Sequence, residues 1–190
     1  IYRLQTIDDA DRLTEKLSSI KNPLVIGGSF IGLEFLEIFA LNNIPSTLLW
    51  RDTHFLSRIF NFQGGEILRN NFEKHGIKMM AQDSVKAIEK REGNLEIETA
   101  SLQKISCDSI ALGIGIDRNI EFLRDSGIEL GERGIRTNQF LETNRAGIFA
   151  AGDTAEFFDI ILGKHHVVGN WTNAFLQVKI AGLNMLGRHE

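Results

Sequence analysis

The sequence has 190 residues, is 43% hydrophobic, carries a formal net charge of −4 and contains one cysteine, Cys107. Such a chain can bury one large or two small cores. It has no basic excess for binding nucleic acid, no apolar run of the roughly 20 residues that cross a membrane, and no second thiol for an internal disulfide. We therefore expect a cytoplasmic protein with neither nucleic acid nor a membrane as partner.

The first half of the chain alternates predicted helices and strands as a βαβ unit does. We expect a helix over 6–17, a strand over 24–26 and a helix over 30–41. A strand at 46–50, a helix within 60–75 and a short strand at 77–80 follow. Between residues 84 and 107 the pattern changes to alternation, which predicts a three-stranded meander. Residues 109–113 then return as a buried strand.

A glycine-rich junction at 113–119 is where we place a domain boundary, which gives domains 1–115 and 116–190. After it we expect a short helix at 120–126, a strand at 134–137, an apolar strand at 147–151 and a closing helix capped by Asn170. These few elements form no complete sheet, so we expect that something outside the chain completes this part.

The glycine-rich turn between the strand at 24–26 and the helix at 30–41 is the strongest candidate site. Gly27, Gly28 and Gly32 let the backbone turn sharply and let a pyrophosphate approach the helix N-terminus, where N–H groups and the helix dipole favour an anion. Ser29 replaces the middle glycine of the G-x-G-x-x-G pattern. The strand before and the helix after nevertheless favour a dinucleotide site.

The end of the second strand bears on the choice between NADH and NADPH. A turn specific for NAD places an acid there to bind the ribose 2′-OH, whereas this chain has Trp50 followed by Arg51. A guanidinium without a nearby acid favours a 2′-phosphate. Asp52 could still bind the ribose, and Arg51 could be a solvated charge, so both nucleotides remain open. Arg58 is a candidate second phosphate contact or a surface ion-pair partner.

A second candidate site follows the apolar run at 147–151. Gly152 and Asp153 would place a carboxylate at the end of a sheet, where it can accept hydrogen bonds from sugar or ribityl hydroxyls. The alternative is a turn in which Asp153 caps a helix. Adjacent His165 and His166 would point to opposite faces of a strand, so we expect a hairpin or surface role for them and no metal site. Cys107 is interpreted as a buried strand residue.

The chain contains, in this order, VIGGSFIGLE, an alternating meander, a Gly-rich junction, GIRTNQFLETNRAGIFAAGD and NWTNAFLQVKIAGLNMLG. With these motifs in this order, the sequence resembles the FAD-dependent pyridine nucleotide-disulfide oxidoreductase family. Within it, the sequence is most similar to the branch of rubredoxin and ferredoxin reductases, NADH oxidases and the nitrite reductase large subunit. The resemblance implies an α/β fold in which 1–115 is a Rossmann-like NAD(P)-binding domain and 116–190 is the C-terminal part of an FAD-binding domain. It implies electron transfer from NAD(P)H through FAD to a redox protein or a small molecule.

The resemblance also implies roles for the residues of the first motif. It puts Gly27, Gly28, Ser29 and Gly32 along the pyrophosphate of the nicotinamide dinucleotide, with the backbone amides of Phe30 and Ile31 close to it. It puts Glu34 towards the nicotinamide, although an acid in the first turn of a helix also stabilises the helix by itself.

In the remaining motifs, the resemblance implies that Gly113 and Gly115 let the chain pass beside the bound cofactor. It implies that Asp153, after Gly152, holds the ribityl chain of FAD. Trp171 matches a position near the flavin or nicotinamide edge, and a core aromatic on an amphipathic helix is the alternative for it.

The resemblance places a first FAD-binding turn before residue 1 and a further domain after Glu190. We therefore expect the isolated chain to bind a nicotinamide nucleotide, to bind FAD poorly and to be inactive. A different interpretation is a non-catalytic dinucleotide-binding module with a regulatory or sensing role.

Overall fold

A computed structural model describes residues 1–57, 59–91 and 93–188. It divides the chain into two compact units, 1–115 and 116–190. Arg58, the candidate second phosphate contact, and Glu92, within the predicted meander, lie outside the described residues. None of the described helices is both long and apolar enough to cross a membrane.

The first unit is built on a four-stranded parallel sheet in the order β3-β2-β1-β7. Its strands are β1 (Pro23–Ile26), β2 (Thr47–Leu49), β3 (Lys78–Met80) and β7 (Ser109–Leu112), and its helices are α1 (Ile7–Lys16), α2 (Phe30–Leu41) and α3 (Phe62–Lys74). The sheet extends to β2 and β3 on one side of β1 and to β7 on the other. The end of β1 is therefore the switch point at which parallel α/β sheets bind ligands.

Local sequence signals explain where the three helices begin. The Thr6 hydroxyl accepts from the Asp9 N–H at 3.1 Å, and the Asp9 carboxylate accepts from the Thr6 N–H, so α1 begins with a capping box. The side chains of Ser29 and Asn61 cap α2 and α3 by accepting from the Gly32 and Gly64 N–H groups, without the reciprocal bond. These bounds agree with the predicted helices.

A three-stranded antiparallel meander covers one face of this sheet. It consists of β4 (Val85–Arg91), β5 (Asn94–Thr99) and β6 (Lys104–Cys107). Ile97, Ile105 and Cys107 pack against Leu24 and Ile110 of the sheet. The opposite face of the meander carries exposed ion pairs such as Lys104–Glu96 at 3.1 Å, so the predicted alternation separates a core face from a solvent face.

The α-helices pack on the other face of the sheet, and the strands distribute their side chains between the two faces. Val25 and Leu48 face the helix side, whereas Leu24 and Leu49 face the meander. A strand covered on both faces is apolar throughout, as expected for a buried parallel sheet. The result is a three-layer α/β unit.

The N-terminal segment pairs with the outer edge of β7. Tyr2 donates its N–H to the Ile110 carbonyl at 2.7 Å and accepts from the Leu112 N–H at 3.0 Å. Tyr2 and Ala111 form a parallel bridge. The edge strand β7 therefore has a short neighbour before α1 begins.

The second unit contains a three-stranded sheet in the order β10-β9-β8. The strands are β8 (Ile135–Thr137), β9 (Ala155–Asp159) and β10 (Lys164–His166), and the closing helix is α4 (Trp171–Met185). The sequence predicted strands at 134–137 and 147–151 only, so the three-stranded sheet is a correction: the β9–β10 hairpin was not recognised. The helix at 120–126 is also wrong in type and length, since only a 3₁₀ turn forms at Glu121–Leu123.

The expected strand at 147–151 is not formed. Its apolar residues suggested β structure, but only Phe149 pairs, through a single bridge to Glu142. Gly147 has a positive φ of +78° and belongs to a turn. The strand begins later, at Ala155.

Helix α4 begins at the predicted cap, where Asn170 Oδ1 accepts from the Asn173 N–H at 2.9 Å. Its buried positions are Gln177, Ala181 and Asn184. Apolar side chains instead lie on the exposed part of the helix, among them Trp171, Phe175, Val178 and Met185. Trp171 is therefore not part of the core formed by the described residues.

Candidate functional site

The glycine turn lies at the carboxyl end of β1, beside the ends of β2 and β7. Gly27 donates its N–H to the Leu49 carbonyl, and Gly113 donates to the Ile26 carbonyl, both at 2.8 Å. The end of β1 is thus joined to both neighbouring strands. Backbone groups from three chain segments meet at the sheet edge where the dinucleotide motif was expected.

Three of the glycines are required because they pack against one another. A Cβ on Gly27 would overlap the Gly113 carbonyl, one on Gly32 would overlap the Gly27 carbonyl, and one on Gly113 would lie 2.5 Å from the Gly32 nitrogen. Gly27 also has a φ of +110°. Close approach of β1, α2 and the end of β7 therefore demands glycine at these positions, independently of any ligand.

The hydroxyl of Ser29, at the position of the missing middle glycine, forms two hydrogen bonds. The Ser29 Oγ donates to the Gly113 carbonyl at 2.6 Å and accepts from the Gly32 N–H at 3.3 Å. One side chain thus caps α2 and ties the turn to the segment that follows β7. A glycine in this place would leave both groups without these partners.

The start of α2 can bind an anion through its backbone. The first four N–H groups of a helix have no partner within the helix. Here Gly32 is capped by Ser29 Oγ and Leu33 donates to the Ser29 carbonyl at 2.9 Å. In the described part of the chain, the N–H groups of Phe30 and Ile31 remain for a ligand. The side chains of Phe30 and Glu34 are exposed.

Trp50, at the expected position of the ribose-binding acid, turns its indole into the core. It continues the face of Leu48 beyond the end of β2, is 3% exposed, and lies edge-on to Phe55 with ring centres 6.1 Å apart. A Cβ on Gly28 would lie 3.3 Å from this side chain. The indole N–H has no hydrogen-bond partner within the described residues. A nucleotide at this edge would therefore meet the backbone of Trp50 more than its ring.

The two charged residues that follow differ in their contacts. Arg51 is exposed. The Asp52 carboxylate accepts a hydrogen bond from Ser57 Oγ at 2.8 Å within its own loop. Binding of a ribose by Asp52 would compete with this bond, whereas Arg51 would give up no such contact.

Asp153 lies in a 3₁₀ turn, Gly152–Thr154, between Ala151 and β9. It does not cap a helix, so that alternative is wrong. Gln177 Oε1 accepts from the Gly152 N–H at 2.7 Å, and Arg118 Nε donates to the Asp153 carbonyl. The backbone of the turn is thus tied on both sides. Its half-buried carboxylate has no hydrogen bond to any described residue, which suits a ligand rich in hydroxyl groups.

The other candidates are placed as follows. Gly115 has a φ of +111° and open space around it. Trp171 is 80% exposed and stacks on Phe175 with ring centres 5.9 Å apart. His165 and His166 lie in the β9–β10 hairpin, edge-on to Phe158 and Phe157, which confirms their hairpin role. Within residues 1–57, 59–91 and 93–188 no group of three His, Cys, Asp or Glu side chains could hold a metal ion.

Cys107 is buried in β6, as expected. Burial raises the pKa of its thiol to about 11, with the nearby Asp108 carboxylate acting in the same direction. The reactive thiolate is therefore scarce near neutral pH.

The two units each bring together part of the predicted set. In the first, Gly27, Gly28, Ser29, Gly32 and Gly113 form one packed turn. In the second, Gly152 and Asp153 lie against α4. Sequence reasoning missed Arg118, Asn173 and Gln177, which hold the Asp153 turn. No sequence signal pointed to Gln177, because its burial and its bond to Gly152 are set by the tertiary fold.

A parallel sheet with a glycine turn at its switch point and a helix N-terminus above it defines a dinucleotide-binding α/β protein. Residues 1–177 match the family described as pyridine nucleotide-disulphide oxidoreductase. The chain belongs to this family, which confirms the resemblance that its motifs suggested.

Relatives and solved structures agree with this assignment. The chain is 30% identical over 191 residues to apoptosis-inducing factor 3 of Mus musculus, covering 99% of the chain and 31% of that protein. It is 28% identical to the NADH-rubredoxin oxidoreductase of Clostridium acetobutylicum, covering 98% of the chain and 44% of that protein. The ferredoxin reductase for the CYP199A2 system from Rhodopseudomonas palustris has a TM-score of 0.90 at 23% identity, over 100% of this chain and 47% of the other.

The chain spans about a third to a half of these proteins, from 31% of the first to 47% of the last. The predicted α/β fold is confirmed. The alternative of a non-catalytic sensing module receives no support from these relatives.

Proposed function

We propose that the polypeptide containing this chain is an NAD(P)H-dependent flavoprotein oxidoreductase that delivers electrons to a redox protein or a small-molecule acceptor. The observation that carries the proposal is the presence in one chain of two separate turns suited to such cofactors, the glycine turn before α2 and the Asp153 turn before β9. Membership of the family supports it. When bound, FAD accepts electrons from NAD(P)H and passes them to the acceptor.

In this proposal, residues 1–115 form the NAD(P)-binding domain. Gly27, Gly28 and Ser29 line the pyrophosphate, and the backbone N–H groups of Phe30 and Ile31 donate to it at the N-terminus of α2. Gly32 and Gly113 act indirectly, because their packing sets the shape of the turn. Glu34, exposed on the next turn of α2, faces the nicotinamide side.

Residues 116–190 form the C-terminal part of the FAD-binding domain. The Asp153 carboxylate accepts hydrogen bonds from ribityl hydroxyls, and Gly152 permits the backbone conformation that presents it, with φ of +81°. Gly115 lies where the chain passes the cofactor, and Trp171 contributes an exposed ring at the start of α4. In this proposal both cofactors are bound by backbone and carboxylate groups.

The test uses the full-length protein and follows bound flavin by its visible absorption. We expect stoichiometric FAD, bleaching of the flavin on addition of NAD(P)H, and reoxidation by an artificial acceptor such as ferricyanide. Asp153→Ala should lose most of the FAD, whereas Asp159→Ala, an aspartate at the other end of β9, should retain it. A purified protein that takes up no FAD, or that retains FAD without reduction by either nucleotide, would overturn the proposal.

We further propose that NADPH is the preferred donor. Arg51 follows Trp50 at the end of β2 with its guanidinium exposed, and Asp52 is already hydrogen-bonded to Ser57. A guanidinium that adds a charge-assisted bond to a 2′-phosphate contributes about 1.5–3 kcal/mol, which corresponds to roughly 10–150-fold in affinity.

Titration of wild type and Arg51→Ala with each nucleotide tests the preference. We expect a selective loss of NADPH affinity in Arg51→Ala with NADH affinity unchanged, and Arg12→Ala, an exposed arginine on α1, should change neither. Equal affinities of the wild type for the two nucleotides would contradict it.

The acceptor is proposed to be a small redox protein, by analogy with the relatives named for rubredoxin and ferredoxin. A cytoplasmic setting is proposed because the chain uses a single, buried and unpaired thiol. Reduction of a rubredoxin or a [2Fe–2S] ferredoxin by the full-length protein, followed spectroscopically, identifies which of these carriers it serves.

A further inference from the structure

We propose that Gln177, oriented by Asn173, is a positioning residue that fixes the Gly152–Asp153 turn so that the Asp153 carboxylate is presented to the hydroxyls of bound FAD. This inference rests on the proposed FAD-binding role of Asp153. It adds two residues of α4 to the site, neither of which is expected to touch the flavin.

The contacts form a short chain from the helix to the turn. Asn173 Oδ1 accepts from Gln177 Nε2 at 3.1 Å, and Gln177 Oε1 accepts from the Gly152 N–H at 2.7 Å. The backbone N–H of Gly152 can only donate, so it selects the orientation of the Gln177 amide with its oxygen towards the turn. Asn173 accepts from the other end of the same amide. The side chain is therefore held in one orientation by both of its polar atoms.

Because the Gln177 side chain is buried, loss of its hydrogen bond to Gly152 would be costly. Gln177 is 8% exposed, and a buried glutamine is stable only when its amide is hydrogen-bonded. Its neighbours along the buried side of α4 include Ala181, whose small side chain requires no such partner. An apolar residue at 177 would bury more easily, so packing alone gives no reason for an amide at this position.

The turn that Gln177 holds packs against α4 and is bonded from a second segment. Gly152 has a positive φ, and a Cβ there would lie 3.4 Å from the Ala174 Cβ of α4. The carbonyl of the next residue, Asp153, accepts from Arg118 Nε. Gln177 thus fixes the peptide group before the Gly152 Cα and Arg118 the one after the Asp153 Cα, so the segment that carries the Asp153 side chain is held at both ends. The direction of its side chain is thereby set by residues on two other segments of the second unit.

The experiment compares four variants of the full-length protein by FAD affinity, measured as flavin fluorescence quenching after removal and re-addition of the cofactor. Gln177→Leu removes the acceptor at similar volume, and Gln177→Glu retains an acceptor for Gly152. Asn184→Leu is the matched control, because Asn184 is another buried amide of α4 but bonds to the Phe140 carbonyl, at 2.8 Å. Asp153→Ala reports on the proposed cofactor contact itself.

We expect Gln177→Leu to weaken FAD binding at least tenfold, since loss of a buried hydrogen bond corresponds to about that factor. Gln177→Glu should recover most of the affinity, and Asn184→Leu should leave it unchanged while lowering thermal stability. In the cofactor-free protein, hydrogen exchange of a peptide covering residues 150–156 should accelerate in Gln177→Leu alone. This second readout does not depend on flavin.

The outcomes separate the two proposals. If Asp153→Ala loses FAD while Gln177→Leu binds it as tightly as wild type, the positioning role is wrong and the cofactor site stands. If Asp153→Ala binds FAD normally, the cofactor role of Asp153 is wrong, and exchange at 150–156 then reports only a structural hydrogen bond. Equal losses of affinity in Gln177→Leu and Asn184→Leu would also overturn the inference, because they would reflect general destabilisation of α4.

Discussion

The Asp83 carboxylate is stabilised in its ionised form by several hydrogen bonds. It follows β3 and accepts hydrogen bonds from Ser101 Oγ at 2.5 Å, from the Ser101 N–H at 3.1 Å and from the Ser84 N–H at 2.8 Å. These donors, the Ser101 hydroxyl foremost, lower the pKa of Asp83 well below its usual range. A carboxyl group whose pKa is lower in the folded than in the unfolded chain stabilises the fold when ionised. Its contribution is complete above the unfolded pKa of about 4 and is lost as the pH falls further.

We therefore predict that Asp83→Asn lowers the unfolding midpoint at pH 7 and flattens the acid limb of the stability profile below about pH 4. Urea unfolding followed by circular dichroism at several pH values measures both effects. Asp11→Asn, at an exposed aspartate of α1, serves as the control and should leave the profile unchanged. An acid limb as steep in Asp83→Asn as in wild type would contradict the prediction.

Single residues also mark the limit of what the sequence could predict. The Asn170 cap and the burial of Cys107 were predicted, because they follow from local signals or from alternation. The orientation of Trp50 does not, because β2 is covered on both faces and its uniform apolar run leaves the facing side undetermined. Gln177 is equally unreadable, since its partner Gly152 is 25 residues away in a turn of irregular shape.

At the level of elements, the packing of β1, α2 and the end of β7 depends on glycine for a reason that can be isolated. Gly27 and Gly115 have nearly equal backbone φ angles, +110° and +111°, but a Cβ would overlap the Gly113 carbonyl at Gly27 and would meet nothing within 4 Å at Gly115. Alanine at either position therefore suffers similar backbone strain. Only at Gly27 does it also force the strand and the following segment apart.

We predict that Gly27→Ala lowers the free energy of unfolding by about 1–3 kcal/mol more than Gly115→Ala, the range measured for overpacking. Nicotinamide nucleotide binding should weaken with it, because the turn before α2 is displaced. Denaturant unfolding of the two variants side by side gives the difference. Similar losses in both would mean that backbone strain alone requires these glycines.

Elements with a strong hydrophobic periodicity were predictable from the sequence. Strands that depend on pairing with segments distant in the chain were not. The boundaries of α2 follow from the glycine turn before it and the two asparagines after it. The run at 147–151 has the composition of a strand, but β structure requires a neighbouring strand, and only Phe149 has a pairing partner there. β9 instead pairs with β8 and β10, an arrangement set by the tertiary fold.

At the level of the whole molecule, the second unit exposes many large apolar side chains, and clusters of such side chains mark surfaces that pack against another partner. The exposed apolar side chains include Ile160, Ile161 and Leu162 at the tip of the β9–β10 hairpin, and Trp171, Phe175, Val178 and Met185 on α4. Much of this surface is continuous along one helix, as expected for a face that packs against another part of a longer polypeptide.

We predict that the 190-residue chain, studied alone, binds the dye ANS in its native state and self-associates with rising concentration. Replacing Trp171 and Phe175 by glutamine should reduce both effects, whereas the same change at Ile67, an exposed residue of α3, should not. Dye fluorescence and sedimentation velocity provide the measurements. If the chain stayed monomeric and caused no increase in dye fluorescence, this surface would be covered within the chain itself.

The bridge between Tyr2 and β7 has a practical consequence for trimming the chain. Without it, β7 would be a bare edge whose unpaired amide and carbonyl groups invite pairing with the same strand of another molecule. By pairing with β7, residues 1–5 cover this edge and hinder edge-to-edge aggregation, in addition to preceding α1. A shortened version that starts at the Thr6 cap would keep every helix of the first unit and yet be prone to precipitate.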